Sequence, residues 1–229
     1  MTINIKNYLL LFTFFFFVGG CANDSPAKKE IPKKVENTLK LQEPTSSKKT
    51  ILFFGNSLTA AYGLAVEQGF VALLQHRLDS LGLPYRCINA GLSGETTAGG
   101  LGRIDWMLRQ PIDIFVLELG GNDGLRGTPP AESYKNLQAI ITKVKEKYPK
   151  VKIVLAGMEA PPNMGAVFTK GFRENYSRLA KENNVALIPF LLEGVGGDRR
   201  LNQADGIHPN AEGNLLVVET VWKVLKTVL

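Results

Sequence analysis

The chain is expected to fold as an α/β protein, with a five-stranded parallel sheet and helices on both faces. Three observations carry this expectation. From residue 50 onward, short apolar runs alternate with amphipathic segments. The runs are nearly continuous rather than alternating, as in strands covered on both faces. A helical segment separates each run from the next, which calls for right-handed crossovers rather than hairpins.

The elements follow in order. KTILFFG (49–55) is an apolar run that stops at a glycine and reads as the first strand. GFVALLQHRLDSLG places Phe70, Leu73, Leu74, Leu78 and Leu81 at helical spacing and stops at Gly82. YRCINAG is the second strand, and TAGGLGRIDWMLRQ is a helix ended before Pro111. DIFVLELGG is the third strand, followed by the loop GLRGTPP. AESYKNLQAIITKVKEKYP is a helix bracketed by Pro129-Pro130 and Pro149. VKIVLAG is the fourth strand and TKGFRENYSRLAKENN the fourth helix. VALIPF is the fifth strand, and NAEGNLLVVETVWKVLKTVL closes the chain as a helix.

The front end has a different character. Residues 1–20, MTINIKNYLLLFTFFFFVGG, join one lysine to an apolar stretch from Tyr8 to Val18 that is short for a bilayer span. That pattern is a secretory signal. It ends in Val18-Gly19-Gly20-Cys21, which resembles the lipobox of bacterial lipoproteins, whose cysteine is diacylated and becomes the N-terminus. An ordinary signal peptide with a chance cysteine is the alternative. Residues 21–49, rich in Lys, Glu, Pro, Ser and Thr, read as a flexible tether. The domain is expected to span residues 50–229. The expected location is outside the cytoplasm, lipid-anchored to a bacterial cell membrane.

The formal charge is +6, but Lys6 and a tether with seven lysines against four acids account for +4 of it. The domain keeps only +2, so nothing marks it as a nucleic-acid binder. With Cys21 used as an anchor, Cys87 has no disulfide partner. Lying in the apolar run YRCINA, it is expected to pack as a small hydrophobe. No zinc-type ligand cluster occurs in the sequence, so no zinc site is expected. A monomer is expected.

In parallel sheets, ligands bind beyond the carboxyl ends of the strands. Functional residues should therefore follow strands directly. Ser57, two residues after Gly55, passes that test, as do GLSGETT, GGNDGLRG and MEAPPNMG after the next three strands. A serine needs a base to become a nucleophile at neutral pH. The chain has two histidines. His76 lies on the polar face of the first helix, and His208 lies in QADGIHPNAEG before the last one. Asp205, three residues upstream of His208, is placed to orient the ring and stabilise its cation. Asp-x-x-His before a helix also fits a simple capping turn, with Asn210 as the cap. Acyl transfer further needs donors for an oxyanion, and the Ser57 N–H, the Gly94 N–H and the Asn122 side chain are candidates. Each alone also fits a turn. Two other motifs fail: G-x-S-x-G, because Thr59 stands at the last glycine, and G-x-G-x-x-G, because Asp105 does.

Taken in order, SLTAAYG, NAGLSGET, LELGGNDGLRG and DGIHPN resemble the four blocks of the SGNH hydrolases, the GDSL esterase–lipase superfamily, across nearly all of residues 50–229. The similarity is greatest to the bacterial arylesterase and thioesterase–lysophospholipase branch. The resemblance implies a three-layer α/β/α sandwich of flavodoxin-like topology. It implies Ser57 as nucleophile, His208 as general base, Asp205 as its partner, and Ser57, Gly94 and Asn122 as the oxyanion hole. It implies a serine esterase acting through an acyl-enzyme on small acyl or aryl esters, lysophospholipids or thioesters, with no cofactor. A carbohydrate or cell-wall O-acetyl esterase, or a binding lipoprotein with a lapsed site, are the alternatives. One departure stands out: Asn56 replaces the aspartate of the usual Gly-Asp-Ser-Leu block. A network that accepts hydrogen bonds through both carboxylate oxygens would be disturbed by an amide. Met158, Met164, Phe168 and Phe172 are candidates to line an apolar acyl groove, or alternatively to cover the sheet.

Overall fold

The computed structural model describes residues 48–229. The signal segment, most of the tether and Cys21 lie outside the described residues. Five strands form one parallel sheet in the order β2-β1-β3-β4-β5. They are β1 (Lys49–Gly55), β2 (Tyr85–Gly91), β3 (Ile114–Glu118), β4 (Lys152–Ala156) and β5 (Ala186–Ile188). The helices are α1 (Phe70–Ser80), α2 (Thr97–Met107), α3 (Gly121–Arg126), α4 (Pro130–Lys147), α5 (Ala166–Asn183) and α6 (Ala211–Leu225).

Successive strand side chains point to opposite faces, and β1 shows what covers each. Phe53 meets Phe70 of α1 edge-on, with ring centroids 5.8 Å apart. Phe54 lies on the other face, beside Phe115 and the close approach of Gly100 in α2. A Cβ on Gly100 would come within 2.4 Å of Leu119 and 3.1 Å of Phe54, so only glycine lets α2 settle there. α1 packs with α6, and α4 packs between α2 and α5, which gives two helical layers around the sheet. The expected α/β/α sandwich is the observed one.

Strand register positions the site. Gly55 pairs with Gly91 of β2 and with Glu118 of β3, so these three strands end level. The chain order reverses between β1 and β3, and at such a switch point the two following loops diverge and leave a crevice. Ser57 follows β1, Gly94 follows β2 and Asn122 follows β3, so all three lie on this edge.

Two sequence expectations need correction. GLRGTPP is not simply a loop, because α3 occupies Gly121–Arg126, between Gly120 and Gly127 in left-handed conformations. Its glycines hide it from propensity arguments. VALIPF forms only the three-residue β5, because Pro189 has no N–H to extend the ladder. Asn210 does cap α6, accepting from the Gly213 N–H at 2.9 Å.

Candidate active site

The strand β1 runs out at Gly55, and residues 56–62 coil back over the sheet end. The turn is tight: the Ala60 N–H donates to the Asn56 carbonyl at 3.0 Å and the Tyr62 N–H to the Ser57 carbonyl at 3.0 Å. Gly55 must be glycine, since a Cβ there would lie 2.2 Å from Thr59 Oγ1 and 2.4 Å from Glu118 Oε2. Ser57 is thereby held at the mouth of the crevice, 8% exposed.

The second half of the site is the loop before α6. Asp205 Oδ1 accepts the N–H groups of Ile207, at 2.9 Å, and His208, at 3.0 Å. This folds the loop around the carboxylate. Its other oxygen, Oδ2, then meets His208 Nδ1 at 2.6 Å, and His208 Nε2 lies 2.9 Å from Ser57 Oγ. With Nδ1–H donating to Asp205, the neutral ring presents Nε2 as an acceptor for the serine hydroxyl. Partial burial acts to raise the Asp205 pKa, but the two N–H donors and the imidazole outweigh it and hold the pKa at about 2. Gln203 ties the two loops together: its Nε2 donates to the Tyr62 carbonyl at 2.7 Å, and its N–H to the His208 carbonyl at 2.7 Å. The Tyr62 ring packs on the imidazole, with centroids 4.8 Å apart. His76, the other histidine, is exposed on α1 and remote from this arrangement.

The Ser57 and Gly94 N–H groups donate to no protein acceptor among the described residues. Gly94 takes a left-handed φ of +80°, a conformation natural only to glycine, and Arg126 Nη2 holds its carbonyl at 3.1 Å. Asn122 Nδ2 donates to the Glu95 carbonyl at 3.0 Å, which fixes the amide and leaves its second N–H for a ligand. The neighbouring Asp123 is buried and accepts from Thr97 N, Thr97 Oγ1 and Ser133 Oγ at 2.9, 2.6 and 3.3 Å. It locks α3 to the starts of α2 and α4. On the β2 side, Arg103 grips the buried Glu95 with Nε and Nη2 and donates to the Ala90 carbonyl.

The network around Asn56 does not accept through two oxygens, so the condition under which an amide would disturb it is not met. Asn56 Oδ1 accepts the Leu58 N–H at 2.9 Å, and its Nδ2 donates to Glu118 Oε1 at 2.7 Å. The amide has found a carboxylate acceptor on β3. Burial raises the Glu118 pKa to about 7, opposed by donation from Thr59 and Asn56.

A cavity of about 440 Å³ opens beside Ser57 and His208, and Asn122 lines it too. Its apolar walls include Leu58, Met158, Pro161, Phe190, Leu192 and Ile207. Of the groove candidates, Met158 belongs to it. Phe172 is fully buried in the core with Tyr176, Phe168 stacks on Phe172, and Met164 lies by Gly127. Spacing along α5 explains this: 168, 172, 176 and 179 share one helical stripe facing the sheet. Among the described residues no cluster of three or more His, Cys, Asp or Glu side chains could hold a metal ion. Cys87 is partly buried, and burial pushes its thiol up to about 12, so it is no nucleophile at neutral pH.

Glu118, Thr59, Tyr62, Gln203, Asp123 and Glu95 were not singled out from the sequence. Only Glu118 had a visible signal, an acid inside a strand with no exposed face.

Residues 53–216 match the model of the GDSL-like Lipase/Acylhydrolase family. The chain is 44% identical over 181 residues to Esterase TesA of Pseudomonas aeruginosa, covering 79% of this chain and 89% of that protein. It is 34% identical to an arylesterase of Vibrio mimicus, covering 81% of this chain and 92% of the relative. It is 35% identical to Thioesterase 1/protease 1/lysophospholipase L1 of Escherichia coli, covering 77% and 83%. The crystal structure of TesA superposes with a TM-score of 0.76 at 44% identity, over 79% of this chain and 100% of that one.

Proposed function

The chain belongs to the GDSL-like Lipase/Acylhydrolase family, and from that premise we propose that it is a serine esterase working through an acyl-enzyme on Ser57. The observation that carries the reading is the relay Ser57 Oγ–His208 Nε2–Asp205, at 2.9 and 2.6 Å, opening onto an apolar cavity. Ser57 Oγ attacks the ester carbonyl as its proton passes to His208 Nε2. Asp205 stays ionised and stabilises the imidazolium. The Ser57 and Gly94 N–H groups and the Asn122 amide take the developing oxyanion. His208 returns the proton to the leaving alcohol, and a water activated by the same ring then releases the acid.

The cavity suits an acyl or aryl group of medium size rather than acetyl alone. The E. coli relative, named for thioesterase and lysophospholipase activities, supports thioesters and lysophospholipids as further substrates. Cys21 is the lipid anchor, and residues 21–49 are the tether that joins it to the domain. The enzyme then works as a monomer at a bacterial membrane outside the cytoplasm, away from acyl-CoA. Hydrolysis of p-nitrophenyl esters by wild type and Ser57→Ala tests the reaction. A loss of roughly 10³-fold or more is expected, and equal rates would end the reading. A steep preference for acetyl over hexanoyl and octanoyl esters would favour the O-acetyl esterase alternative. Cys21→Ser should move the protein from membranes to the soluble fraction, and unchanged fractionation would refute the anchor.

A further inference from the structure

Glu118 ends β3 in a strand buried on both faces, and it is 1% exposed. Among the described residues no cation pairs with it. Arg103, which reaches the Gly55 carbonyl at 3.4 Å, is committed to Glu95 and to the Ala90 carbonyl. On the far side Tyr176 spends its hydroxyl on the Leu119 carbonyl. A buried carboxylate without a cation persists only where hydrogen-bond donors surround it. Here the donors are the Asn56 N–H at 3.0 Å, Asn56 Nδ2 at 2.7 Å and Thr59 Oγ1 at 2.8 Å. They bracket Ser57 from both sides in sequence.

We propose that Glu118 is a positioning residue for the nucleophile: its carboxylate clamps residues 56 and 59, and so sets where Ser57 Oγ and the Ser57 N–H point. Rigid placement of reacting groups carries a large share of catalysis, so loosening this clamp should act on kcat. The inference rests on the esterase reading only for its catalytic consequence.

The hydrogen-bond pattern makes the clamp testable by exchange. Oε1 faces one donor and Oε2 faces two. In E118Q the glutamine would set its own NH₂ against an N–H of Asn56 in either orientation. Flipping Asn56 to relieve this would strip the Leu58 N–H of its acceptor. The double variant N56D/E118Q restores every pairing. Its new carboxylate still accepts the Leu58 N–H and also accepts from the glutamine NH₂. The glutamine carbonyl oxygen accepts from the backbone N–H at position 56 and from the Thr59 hydroxyl.

The experiment measures kcat and KM per active site, counted by an organophosphonate titrant, for wild type, E118Q, T59V and N56D/E118Q, with urea midpoints for each. E118Q should lose about 10²-fold in kcat and T59V up to about tenfold, with KM held within roughly threefold in both. N56D/E118Q should recover most of the E118Q loss in kcat and in urea midpoint. A purely structural role would lower the number of titratable sites and leave kcat per site unchanged, which overturns the proposal. So would a double variant no better than E118Q. If E118Q does not fold, a folded and active N56D/E118Q supports the clamp and an unfolded or inactive one refutes it. The wild-type versus Ser57→Ala comparison decides the esterase reading separately, and the midpoint rescue decides the pairing even if no ester is turned over.

Discussion

Burying Glu118 should leave a pH signature on stability. Its pKa rises from the ordinary 4.5 to about 7 in the fold. Between those values the folded protein holds a proton that the unfolded chain has lost. Stability therefore falls as pH rises through this window. That rise corresponds to about 3 kcal/mol between pH 4 and pH 8. Asp205 and Asp198 do not confuse the reading. Both are held at about 2 from an ordinary 3.8, so their stabilisation is complete above pH 4 and is lost only as pH falls through about 2. The assay is urea unfolding from pH 4.5 to 8 for wild type and E118Q. Glutamine cannot titrate, so its curve carries a constant offset and lacks the Glu118 slope. The two curves should converge by about 3 kcal/mol as pH rises. Parallel curves across the window would refute the argument that burial of the Glu118 carboxyl outweighs its three donors and raises its pKa.

Asn56→Asp would set a second carboxylate against Glu118 Oε1, where Asn56 Nδ2 now sits at 2.7 Å. Two such groups share one proton, so this variant should lose stability with pH more steeply than wild type, and urea midpoints at pH 6 and 8 would show it. Asp205→Asn removes the acceptor at His208 Nδ1 and should cut kcat on the order of 10³-fold, read from steady-state ester hydrolysis. Leu125→Ala trims a half-exposed wall of the cavity. It should lower kcat/KM about tenfold for octanoyl esters and leave acetyl esters nearly unchanged, which a chain-length series would show.

The main chain of the fold was legible because both faces of the sheet are covered. KTILFFG and YRCINAG coincide with β1 and β2 residue for residue. The strand-end rule found Ser57 for the same reason: the chain must leave the sheet at Gly55, and the switch point lies there. What the sequence hid was mostly pairing across distance. Asp123 meets Thr97, 26 residues away, and Gln203 meets Tyr62, 141 residues away. Neither partner marks itself locally. α3 was hidden by its glycines, since tertiary locking through Asp123 replaces helix propensity there. Asn56 looks like a defect in the sequence because its neighbour in space, Glu118, stands 62 residues away within an apolar strand. An acid in such a strand has no solvent-facing side to occupy, and that was a signal.

The central claim is that Ser57 carries the acyl group. Reaction with an organophosphonate ester, followed by mass spectrometry of the digested protein, tests it most directly. The account predicts one adduct per chain, on the peptide holding Ser57, and none in Ser57→Ala. An adduct on another residue, or undiminished labelling of Ser57→Ala, would contradict it.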